Sequence, residues 1–66
     1  MKIEKLQHYT SLEIYDDNNR YDIQIQNDCS QLRIDPNNGG FDIFINTNKK
    51  ELTMLRDMLT QVIESN

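Results

Sequence analysis

Four short segments of this chain alternate apolar and polar side chains with a period of two, and the last third changes to a period near 3.6 residues. No other feature constrains the fold as much, because a strand sends alternate residues to opposite faces while a helix gathers every third and fourth on one. The first alternating segment is about Thr10–Tyr15, with Leu12 and Ile14 on one face and Ser11, Glu13 and Tyr15 on the other. The second, about Arg20–Gln26, turns Tyr21, Ile23 and Ile25 inward and Asp22, Gln24 and Gln26 outward. In the third, about Ser30–Ile34, Leu32 and Ile34 face in and Gln31 and Arg33 face out. The fourth, about Phe41–Asn46, places Phe41, Ile43 and Ile45 inside and Asp42, Phe44 and Asn46 outside. Residues 2–8 carry a fragment of the same pattern, a candidate fifth strand at one edge.

The links between these segments are short and rich in residues that accept turn dihedrals or bond to their own backbone. They are Asp16-Asp17-Asn18-Asn19, Asn27-Asp28 and Asp35-Pro36-Asn37-Asn38-Gly39-Gly40. Links this short select hairpins, since parallel strands need a crossover of a dozen or more residues.

At Asn48 the chain changes character. Asn48-Lys49-Lys50-Glu51 fits a capping box, in which the Asn side chain accepts from the N3 amide and Glu51 reaches back. Beyond it, Leu52, Met54, Leu55, Met58, Leu59, Val62 and Ile63 spread over an arc of about 180° at 100° per residue, wider than the ~100° stripe of an ordinary surface helix. The centre of the arc, Leu55, Leu59 and Val62, is expected on the sheet, and the Met54 and Met58 margin is left partly exposed. The expected fold class is α+β: a four-stranded antiparallel meander, with the candidate fifth N-terminal edge strand, packed on one face by a C-terminal helix. It forms a single small domain over 1–66, with the sheet over about 10–46 and the helix over about 48–64.

Size and charge narrow the function classes. A chain of 66 residues buries only about 60% of the surface its unfolded form exposes, so a lone core is marginal. The formal net charge of −4 is uneven. Residues 1–6 sum to +1, residues 7–48 to −5 and residues 49–66 to 0. Direct nucleic-acid binding is disfavoured, because it relies on Lys and Arg to neutralise phosphates. One cysteine, Cys29, excludes a disulfide framework. No apolar run suits a membrane span or a signal peptide, and the reducing cytoplasm is the expected location.

Catalytic and metal chemistry find little to work with. His8 is the only histidine and has no identifiable nucleophile or acid beside it. Cys29 follows Asp28, and a carboxylate is the wrong neighbour for a reactive thiol, which wants a positive charge or a helix N-terminus beside it. Neither supplies enough soft ligands for zinc. The Asp35–Gly40 segment departs from a calcium loop, with Gly39 at the fifth position and Asn46 at the twelfth, and it contains no GxxxxGK[ST] phosphate cradle. It reads as a hairpin turn. No enzyme, cofactor or metal is expected.

Interaction residues are a better fit. With strands adjacent in sequence order, Tyr15, Arg33 and Phe44 project from the face opposite the helix among Glu13, Asp22, Gln24 and Asp42, and aromatics and Arg are enriched at binding hot spots. Met54, Met58 and Val62 are the expected oligomer contact, through a homodimer or higher oligomer. The expected function is a small non-enzymatic interaction protein that binds and inhibits or regulates another protein. The lack of Ala and the abundance of Asn and Ile suggest an AT-rich gene, by analogy an accessory protein of a phage or mobile element acting against a host defence system. Seven carboxylates in residues 7–48 raise the sharper version of nucleic-acid mimicry. The alternative is an oligomeric small-molecule-binding protein with inter-subunit pockets, where Arg20 or Arg33 holds an anionic ligand.

Overall fold

The computed structural model describes residues 2–66 and contains five strands followed by one helix. They are β1 (Lys2–Lys5), β2 (Tyr9–Asp16), β3 (Asn19–Gln26), β4 (Gln31–Asp35), β5 (Ile43–Asn46) and α1 (Lys49–Glu64). The strands form one antiparallel sheet in the order β1-β2-β3-β4-β5, so the meander has five members. β1 pairs with β2 along its whole length, from Lys2 opposite Glu13 to Lys5 opposite Thr10. The fragment of alternation in residues 2–8 is therefore an edge strand, although all four of its residues remain exposed. No helix among the described residues is long and apolar enough to cross a membrane.

Turn chemistry sets the register. A two-residue turn, Asp17-Asn18, joins β2 to β3, and Asp17 adopts a left-handed φ of 44° that Asp tolerates better than most residues. The β3–β4 link closes when the Cys29 amide donates to the Gln26 carbonyl at 2.9 Å and the Ser30 amide to Asp28 Oδ1 at 3.0 Å. In the β4–β5 link the Asn37 amide donates to Asp35 Oδ1 and the Gly40 amide to Asn38 Oδ1, each at 2.9 Å. Gly39 sits there at φ 83°, a conformation that favours glycine.

The register aligns two rows of apolar side chains on one face. Leu12, Ile23, Ile34 and Ile43 form one row, and Thr10, Ile25, Leu32 and Ile45 the next. α1 lies over this face. Asn48 caps it by accepting from the Glu51 amide at 2.8 Å, the forward half of the capping box. Contact is concentrated in the first half of the helix, where Leu52, Thr53 and Leu55 are half-buried.

Two inward assignments are corrected. Phe41 lies outside β5, which begins only at Ile43, and is 98% exposed. The turn takes up residues through Asp42, whose carboxylate pairs with Arg33, and this leaves Phe41 before the ladder resumes. Val62, placed at the centre of the helix contact by periodicity, is 56% exposed, because the half-buried Leu52, Thr53 and Leu55 centre the contact near Leu52 and Val62 stands about 80° round the helix from it. No side chain in the described chain is fully buried. An apolar groove of about 530 Å³ stays open between sheet and helix, with Leu12, Ile23, Ile34 and Ile45 on the sheet side and Leu55 and Leu59 above.

Candidate protein-interaction face

The face of the sheet turned away from α1 carries Glu13, Tyr15, Asp22, Gln24, Arg33 and Phe44, because each occupies the opposite parity from the apolar rows. Arg33 stands at the centre of β4, with Gln24 of β3 on one side and Phe44 of β5 on the other. Its Nε donates to Asp42 Oδ2 at 2.9 Å, its Nη2 reaches the same oxygen, and its Nη1 donates to Gln24 Oε1 at 3.3 Å. Asp35 Oδ2 lies 3.8 Å away. The guanidinium carbon is 5.5 Å from the centre of the Phe44 ring, within cation–π range. Hydrogen bonding to Asp42 is the main reason the Arg33 pKa rises further above its ordinary value; partial burial works against it.

Tyr15 occupies a different corner. Its hydroxyl donates to Glu13 Oε2 at 2.9 Å, and this bond is the main cause of a phenol pKa raised above the usual value near 10. β2 and β5 are three strand spacings apart, and Tyr15 lies four residues along the ladder from the Ser11–Phe44 row. With spacings of ~4.8 Å across and ~3.4 Å along, Tyr15 and Phe44 are separated by about 20 Å. Arg33, Phe44, Gln24 and Asp42 therefore form one cluster. Tyr15, Glu13 and Arg20 form another, and Asp22 lies between.

A third group links them, and periodicity does not reveal it. Asn37 Nδ2 donates to Asp22 Oδ2 at 2.9 Å while Asn37 Oδ1 accepts from Arg20 Nη2 at 3.1 Å. Asn37 adopts a left-handed φ of 55°, which swings its amide back over β3. The sequence signal for this is the Asp35-Pro36-Asn37 spacing of an Asx-turn, which announces a turn but says nothing about what its third residue reaches.

The electrostatics differ from a uniformly acidic face. Five carboxylates (Glu4, Glu13, Asp22, Asp35 and Asp42) share it with Lys2, Arg20 and Arg33, for a local balance of −2. All three cations are paired with carboxylates on the same face: Lys2 with Glu4 at 3.4 Å, Arg20 with Asp22 at 3.7 Å, and Arg33 with Asp42.

Elsewhere, His8 is exposed, and its carbonyl accepts from the Asn27 amide. Cys29 is half-buried at a left-handed φ of 68°, and its carbonyl accepts from Thr47 Oγ1 at 2.8 Å. Among the described residues no group of three His, Cys, Asp or Glu side chains is arranged to hold a metal ion. No family model, curated protein or solved structure matches this chain.

Proposed function

We propose that this chain is a non-enzymatic interaction protein that docks onto another protein through the Arg33–Phe44 corner of its outer sheet face, and that docking inhibits or regulates the partner. The observation that carries this reading is the pairing of a 58% exposed Phe44 ring with a guanidinium already tethered to Asp42 and Gln24. An aromatic beside an immobilised Arg offers binding area at a low cost in side-chain entropy. Tyr15, also exposed, belongs to a separate patch and makes a smaller contribution.

Internal pairing of the cations weakens two neighbouring readings. A nucleic-acid mimic needs a continuous negative field, and the −2 balance of this face is interrupted at Arg20 and Arg33. A sequestering oligomer that holds an anion on Arg20 or Arg33 has to compete with the carboxylates already there. Small size and AT-rich composition direct the search for a partner to bacterial defence proteins.

The test compares wild type, Phe44→Ala and Tyr15→Ala as baits, followed by calorimetric affinity for any partner retained by wild type. Phe44→Ala should weaken binding by about 30-fold or more, the scale of a hot spot, at an unchanged circular dichroism spectrum. Equal affinities for wild type and Phe44→Ala would remove this corner from the interface.

A further inference from the structure

The helix side of the molecule carries a separate inference. A folded monomer of 7.9 kDa exposes about 4,400 Å² by the usual scaling of surface with mass. This chain exposes 5500 Å². The surplus, about 1,100 Å², is the size of one partner's share of a stable interface, ~800 Å² or somewhat more. It includes apolar side chains on the helix side: Met54 is 63% exposed and Met58 53%, and Leu59, Val62 and Ile63 are exposed with them. Going round the helix at 100° per residue, Met54, Met58 and Val62 continue directly from Leu55, which forms a wall of the open groove.

We propose that a second copy of this chain covers this surface, its α1 packed antiparallel against the first and its apolar margin seated towards the groove. Three observations select a second copy over another occupant. The groove is lined by Thr10, Ser11 and aliphatic side chains with no charged group, so it suits an apolar margin like the one the helix itself leaves bare. The two uncovered features, a groove without a filling and a helix edge without a cover, belong to the same chain, as a two-fold symmetric interface requires. The charges on α1 also run against its own dipole. Lys49 and Lys50 open the helix and outweigh Glu51 in its first turn, Glu64 closes it, and no basic residue occupies the last turn. An antiparallel second helix places Lys50 near Glu64 of the partner subunit and opposes the two dipoles. With the two-fold axis between Asp57 and Met58, Lys50 and Glu64 of the partner subunit, and likewise Met54 and Val62 of the partner subunit, each come level to within about one residue, ~1.5 Å along the helix. The outer face around Phe44 remains free in this assembly.

Sedimentation equilibrium over roughly a hundredfold range of concentration is the first measurement, and mass action requires the dimer fraction to rise across it. The expected result is twice the monomer mass for wild type and the monomer mass for Met58→Glu. Lys50 and Glu64 are exposed, so their reversal tests the register without removing apolar area. Lys50→Glu and Glu64→Lys should each weaken the dimer about fivefold, from two symmetric surface pairs of ~0.5 kcal/mol. The double variant should recover wild-type affinity. A folded wild-type monomer at every concentration overturns the proposal, as does a monomer carrying a bound small molecule in native mass spectrometry. A dimer in which the charge reversals do not compensate overturns the antiparallel arrangement.

Discussion

Replacing Arg33 by Gln tests whether the outer face is organised by that one side chain. The substitution removes two contacts to Asp42, an ion pair with Asp35 and the cation–π contact to Phe44. Hydrogen bonds to charged groups contribute ~1.5–3 kcal/mol. The Arg33 side chain is 35% exposed, so solvent screening reduces that to about 1 kcal/mol. The stacked ring adds ~0.5–1 kcal/mol. Asp35 and Asp42 are left facing each other without a cation, which brings the expected loss to about 1.5–2 kcal/mol. For a domain of this length that lowers the melting temperature by roughly 6–16 °C. The assay is urea and thermal unfolding followed by circular dichroism at fixed protein concentration, since oligomerisation would otherwise move the midpoint. Arg33→Lys keeps the charge without the planar fork and should lose about half as much. In 1 M salt, where the screening length is ~3 Å, the gap between wild type and Arg33→Gln should shrink towards the stacking contribution. A gap below about 0.5 kcal/mol, or one indifferent to salt, would refute the central role of Arg33.

Other expectations follow from individual contacts. Asn48→Ala removes the cap on the Glu51 amide and should cost about 1 kcal/mol, read as a lower urea midpoint with an unchanged slope. Phe41→Ser should leave stability within about 0.5 kcal/mol, because the ring is exposed; a larger loss would restore it to the core. Tyr15 should ionise above the ordinary tyrosine value in an ultraviolet titration, and Glu13→Gln should return it towards normal. Because the folded-state pKa is raised, the stabilisation linked to Tyr15 is complete below the unfolded value near 10 and is lost as pH rises through the folded value. Asp28 has the opposite sign. Hydrogen bonds from Ser30 lower its pKa, so its contribution is present above the unfolded carboxylate value and disappears as pH falls through the folded one. Asp28→Asn should therefore flatten the acid limb of the stability profile.

Local rules were enough for most of the architecture. Period-two alternation located β2, β3 and β4 to within a residue or two, because each strand sends its aliphatic side chains to one face and the pleat alternates without exception. Asn48 and Glu51 marked where α1 starts, since an N-cap is satisfied within four residues of chain. Short Asn- and Asp-rich links implied neighbouring antiparallel strands, which fixed the parity and hence the residues that share the outer face. Three matters depended on the tertiary structure. β1 has an alternation of only four residues, too brief to read until β2 pairs with it. Phe41 keeps the alternation, yet the turn before β5 takes up one more residue pair than the pattern implies, and the ring ends in solvent. Tyr15 and Phe44 share a face by parity, but their separation depends on how many strands lie between them and on the register of each. Sequence determines which side of the sheet a residue faces, because that is a property of one strand. Distance across the sheet, the reach of Asn37 over β3 and the depth of the open groove come from how separate strands and a helix are set against one another, and only the folded chain decides that.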